Sequence, residues 1–148
     1  MKVLALLLLL TIGIVSVAVA TPNTNPEETA ARVPLEHYLS AHATGNPDFI
    51  RKAFFSEARI MAFRDGKLVN LSVEEFASRF PGKPAPDEAQ RKRRIESLDI
   101  TGNAAVARIV LEYPTMKFTD YMSLLKIDGE WKIVNKAFYG EAKPKSSE

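Results

Sequence analysis

The 148-residue sequence contains no cysteine. That excludes a disulfide framework, a thiol nucleophile and a lipid attached through cysteine. Only two histidines are present, so no metal site is expected. Also missing are the G-x-S-x-G elbow, the phosphate-binding glycine loop, the dinucleotide-type glycine pattern and H-E-x-x-H, and no cofactor is expected. Nor is there a large excess of either charge. The formal net charge is +2, which is no electrostatic footprint for nucleic acid. The basic run "RKRR" at 91–94 follows Asp87-Glu88 and reads as a solvated loop-to-strand junction, with anion binding as the alternative. "NLS" at 70–72 is formally a glycosylation sequon, relevant only in a eukaryotic secretory route. No internal repeat is present.

One long hydrophobic run stands at the start, "MKVLALLLLLTIGIVSVAVA". Lys2, the apolar stretch and the small residues Ala18-Val19-Ala20 form the three regions of a signal peptide, with cleavage expected after Ala20. An uncleaved membrane anchor is the alternative. The expectation is an exported protein, periplasmic or secreted, free of the membrane after cleavage. Residues 21–30 read as a flexible leader, 31–140 as one folded domain and 141–148 as a polar tail. The domain is long enough to bury one good core.

Within the domain, helix signals come first and strand signals later. Leu35, Tyr38, Leu39 and His42 fall on one face of a helix expected over 33–44, with Gly45 as its left-handed stop. Asn46-Pro47 starts a second short helix. "ARIMAFRDGKLVNLS" reads as a hairpin about Asp65-Gly66, and Ser72 with Glu75 forms a capping box for a third helix. Three prolines within "PGKPAPDE" make 81–88 a surface loop. Two further hairpins follow, turning at Gly102-Asn103 and Asp128-Gly129. In the first, Leu98 and Ile100 share a face with Ala105, Ala107, Ile109, Leu111 and Tyr113. This order predicts an α+β fold, three N-terminal helices packed on a strongly curved antiparallel sheet. A cone of that kind leaves an apolar cavity at its open end.

The last hairpin, "TDYMSLLKIDGEWKIVNKAFY", can be read by register. A two-residue turn at Asp128-Gly129 sets Asp120 opposite Ala137, Met122 opposite Asn135, Leu124 opposite Ile133 and Lys126 opposite Trp131. That face is nearly all apolar and is expected to be the packed one. The other face pairs Thr119 with Phe138, Tyr121 with Lys136, Ser123 with Val134 and Leu125 with Lys132. Its mixture of apolar residues and lysines suits a homodimer interface through Tyr121, Leu125, Val134 and Phe138.

Asp120 is then a carboxylate on a packed face, which requires a donor, a wet cavity or a raised pKa. His42, last in the stripe of the first helix, is the expected partner. Tyr38, His42, Asp120, Met122 and Asn135 are the candidate ligand-binding residues. Asp120 and His42 are the candidate acid–base pair, with Tyr38 or Asn135 holding an oxyanion.

The stretches "HYLSAHATGNPDFIRKAF", "RDGKLVNLSVEEF" and "FTDYMSLLKIDGEWKIVNKAFY" resemble the putative lumazine-binding family over roughly 31–139. That family lies in the nuclear transport factor 2-like superfamily, with the SnoaL-like cyclases and ketosteroid isomerase. The resemblance implies a cone-shaped α+β domain with a pocket between helices and sheet, often dimerised through the sheet. Three readings of function follow. The favoured one is an exported protein binding a small molecule in an apolar pocket. The second is an isomerase, dehydratase or cyclase-type enzyme using Asp120 and His42. The third is a non-catalytic dimeric interaction module.

Overall fold

The computed structural model describes residues 25–144. The expected signal peptide at 1–20, the first part of the leader and the last four residues lie outside the described residues.

The first helix starts earlier than expected. Asn25 accepts a hydrogen bond from the Glu27 amide at 3.0 Å, Pro26 takes the first helical position, and α1 runs Pro26–Thr44. The leader has no apolar period, but a side-chain cap followed by proline is enough to start a helix. Tertiary contacts hold these added turns. Lys126 and Trp131, at the tip of the last hairpin, donate to the Glu27 carboxylate at 2.8 and 3.2 Å.

Gly45 ends α1 in the left-handed region at φ 71°. A Cβ there would also lie 2.0 Å from the Lys83 carbonyl oxygen, so glycine is required twice over. The Gly45 carbonyl accepts from the Gly82 amide at 2.8 Å. The proline-rich loop is thereby pinned against the end of α1.

Asn46 caps α2 (Pro47–Ala53), and the chain passes directly into β1 (Phe54–Arg64). Asp65 and Gly66, at φ 53° and 74°, turn it into β2 (Lys67–Ser72). Ser72 and Glu75 form the full capping box of α3 (Val73–Ala77), a device worth about 1 kcal/mol. A short 3₁₀ turn at Glu88–Gln90 then leads to β3 (Lys92–Thr101), β4 (Ala104–Glu112), β5 (Met116–Ile127) and β6 (Glu130–Ala142). Part of the expected tail is thus strand, with Glu141 and Ala142 paired to Lys117 and Met116.

The six strands lie in the order β2-β1-β6-β5-β4-β3. All neighbours are antiparallel except β1 and β6, which run parallel. The sheet is therefore mixed, where an all-antiparallel one was expected. Hairpin turns fix direction locally, but the β1–β6 join links distant parts of the chain and no turn sets its sense. Leu35, Ile50, Ile60, Ile109, Leu111, Met122, Leu124 and Ile133 fill the space between helices and sheet, all essentially buried. Each contributes about 1.5–3 kcal/mol by leaving water.

The β3–β4 register is the expected one at its turn, with Leu98 opposite Ala107 and Ile100 opposite Ala105. The β5–β6 register follows expectation from the Asp128-Gly129 turn as far as Leu124 opposite Ile133. There a β-bulge intervenes, and Ser123 pairs with Asn135, leaving Val134 as the extra residue. Beyond it every β6 side chain changes face. Lys136 and Phe138, expected outside, point to the packed side beside Met122 and Asp120. Asn135 and Ala137, expected inside, go outward. Ile133 and Val134 stand side by side in the sequence, and that break in the alternation is the only local sign of the bulge.

Candidate functional site

A cavity of about 320 Å³ opens between the end of α1, α3 with its following loop, and the concave face of β4, β5 and β6. Phe76, Phe80, Leu111, Phe118 and Phe138 form its apolar walls. Its polar lining comes from His42 on α1, Tyr113 just after β4, Asp120 on β5 and Lys136 on β6. Arg64, Arg79, Lys83 and Arg91 also line it.

Asp120 and Lys136 are diagonal neighbours across the β5–β6 ladder, and both are buried. Tyr38, wholly buried on α1, connects them. Lys136 Nζ donates to the Tyr38 oxygen at 2.5 Å, and the Tyr38 hydroxyl donates to Asp120 Oδ2 at 2.6 Å. The ammonium also lies 3.2 Å from Asp120 Oδ1, an ion-pair contact rather than an aligned hydrogen bond. The rings of Tyr38, Phe76 and Phe138 surround Nζ, each centroid within about 5 Å. Burial pushes the Tyr38 hydroxyl well above its ordinary pKa, and the Asp120 charge pushes it the same way. Burial lowers the Lys136 ammonium, and Asp120 works against that shift.

His42 belongs to a separate pair. Its Nδ1 lies 2.9 Å from the Tyr113 hydroxyl. The Tyr38 ring packs edge-on against the imidazole with centroids 4.7 Å apart, so a tyrosine separates His42 from Asp120. Burial pulls His42 well below its ordinary pKa, and the nearby charges of Lys136, Arg93 and Arg91 pull it further. The ring is neutral near pH 7.

Burial raises the Tyr113 hydroxyl above its usual pKa, although Arg93 and Arg91 act against it, so the phenol keeps its proton. Arg91 stacks over the Tyr113 ring at 4.2 Å, and arginine has no acceptor to offer. The Tyr113 hydroxyl and His42 Nδ1 share one hydrogen across their 2.9 Å contact, and the remaining imidazole nitrogen is Nε2. That Nε2 is buried without a protein partner.

Of the residues singled out from sequence, His42 and Asp120 line the cavity. Tyr38 and Met122 lie in the core beneath it. Asn135 is on the opposite face of the sheet, in a shallow depression with Ser97, Asp99 and Val106. The bulge sends it there and brings Lys136 in its place. Arg91 belongs to the basic run for which anion binding is the alternative reading, while Tyr113, Arg64, Arg79 and Lys83 were also missed. They come from loops and strand ends, where periodicity carries no information.

The sequence profile of the family described as "Putative lumazine-binding" matches residues 26–139. The chain belongs to that family. An NTF2-like (nuclear transport factor 2-like) protein of unknown function from Shewanella baltica superposes with a TM-score of 0.72 at 29% identity, covering 82% of this chain and 100% of that one. Another, from Methylobacillus flagellatus, gives 0.69 at 29% identity, with coverage of 81% and 97%. A ketosteroid isomerase-like protein from Erwinia carotovora atroseptica gives 0.62 at 13% identity, with coverage of 81% and 99%, a likeness of fold alone. In sequence, the aldolase FrzH of a Cladobotryum species is 24% identical over 104 residues, 69% of this chain and 82% of that protein. The fold is the α+β cone of the nuclear transport factor 2-like superfamily.

Proposed function

We propose that this family member binds a small, largely apolar organic molecule in the cavity above Asp120 and Lys136, and that it acts after export and cleavage following Ala20. The observation that carries the reading is a space with aromatic walls and a few fixed polar groups at one end, the usual make-up of a small-molecule site. The family name, referring to lumazine, agrees with a compact heterocyclic or aromatic ligand. Native mass spectrometry of the protein recovered from the exported fraction tests it. A discrete non-covalent adduct is expected, lost when Leu111→Trp fills the cavity. A folded protein that carries no adduct, and takes up none from extracts of its host, would count against the reading.

Proton-transfer chemistry is the second reading. It is favoured by the buried Asp120–Tyr38–Lys136 chain beside a neutral imidazole, and by a relative described as an aldolase. His42 suits a proton relay better than Asp120, whose two oxygens already face Tyr38 and Lys136. In this reading His42→Phe abolishes turnover while ligand affinity largely remains.

A homodimer through the outer sheet face is also proposed. Val106, Tyr121, Leu125 and Tyr139 are exposed there. They replace the expected set, from which Phe138 is withdrawn because it lines the cavity.

A further inference from the structure

The polar groups lining the cavity are unbalanced. Arg64, Arg79, Lys83, Arg91 and Lys136 line it, against the single carboxylate of Asp120. Lys136 is neutralised by Asp120, and Arg91 by Asp87 at 2.8 Å. Arg64, Arg79 and Lys83 make no ion pair among the described residues. Below them His42 Nε2 is buried without a partner. The side chains thus hold out donors and positive charge, while the only carboxylate is engaged. A cation entering there meets repulsion from the rim, and the one carboxylate already faces Lys136.

We propose that the cavity selects a small organic anion, an apolar body bearing one carboxylate or comparable anionic oxygen, received by the Arg64, Arg79 and Lys83 rim. This deepens the binding reading and rests on it. The apolar body fills the space between Phe76, Phe118 and Phe138. The low-dielectric walls strengthen the attraction between the anion and the rim charges. The loop carrying Lys83 is held in place by the Gly82–Gly45 bond, so the rim cation is carried on an anchored segment.

The test titrates the protein with three probes of one shape, 2-naphthoate, 2-naphthamide and 2-naphthylmethylammonium, followed by calorimetry. Naphthoate is expected to bind about tenfold or more tighter than the amide, and the ammonium not to saturate. The gap between naphthoate and amide should shrink several-fold between about 0.05 M and 0.5 M salt. The double variant Arg79→Gln/Lys83→Gln, changed at exposed positions that leave folding intact, should lose about tenfold for naphthoate and nothing for the amide. If all three probes bind alike, or the double variant binds naphthoate as before, the anion assignment is overturned while cavity binding stands. If no naphthalene probe binds the folded protein, both fall.

Discussion

Lys136 and Asp120 share one buried face of the central hairpin, Nζ to Oδ1 3.2 Å apart, and reach each other a second time through the Tyr38 hydroxyl. Each polar group is tolerable because the others are present. A buried ion pair of this sort contributes little net stability, yet losing one partner strands the other charge.

Asp120→Ala should therefore cost about 3–5 kcal/mol in urea denaturation, because the Lys136 ammonium is left uncompensated. The double variant Asp120→Asn/Lys136→Met should recover most of that loss. Additive losses in the pair would show that the two residues are not coupled in this way.

Stability should fall as the solution is acidified below about pH 6.5, the ordinary histidine value. His42 is neutral and buried in the folded chain, with its pKa pushed down. On acidification the unfolded chain takes up a proton before the folded one, and the equilibrium moves toward unfolding. Denaturation midpoints measured at pH 7.5 and 5.5 should differ less in His42→Gln. An unchanged difference would place the titrating group elsewhere.

For the proposed dimer, Tyr121→Glu or Tyr139→Glu should convert it to monomer in sedimentation. Phe138→Glu should instead destabilise the fold, since its ring lies within 4.7 Å of the Lys136 ammonium on the packed side. A monomer at all protein concentrations in the parent chain would remove the proposal.

What was legible in the sequence is what short stretches encode. The turns at Asp65-Gly66 and Asp128-Gly129, the Ser72–Glu75 box and the stop at Gly45 each arise within a few residues, and each is found where the pattern puts it. The Leu98/Ile100 face with Ala105 and Ala107 follows from one turn in the same way. The parallel seam between β1 and β6 and the bulge at Val134 depend on partners far along the chain. Strict alternation counted from the Asp128-Gly129 turn is right as far as Ile133 and inverted after it. Hence Asn135 was placed in the cavity and Lys136 outside, although Asp120 and His42 were both placed on the correct side of the sheet.

The extra residue at Val134 has a consequence for how such a site changes over generations. Removing one codon there would straighten the strand without turning it over, since Asn135 would still pair with Ser123 and Lys136 with Met122. The lysine and phenylalanine of the interior would keep their places. Drawing Val134 into the ladder would instead exchange both surfaces at once, the one toward a ligand and the one toward a proposed second subunit. When chains of this family are aligned, a one-residue gap beside position 134 marks the loss of a local kink, and the chemistry on either side of the sheet is carried through it.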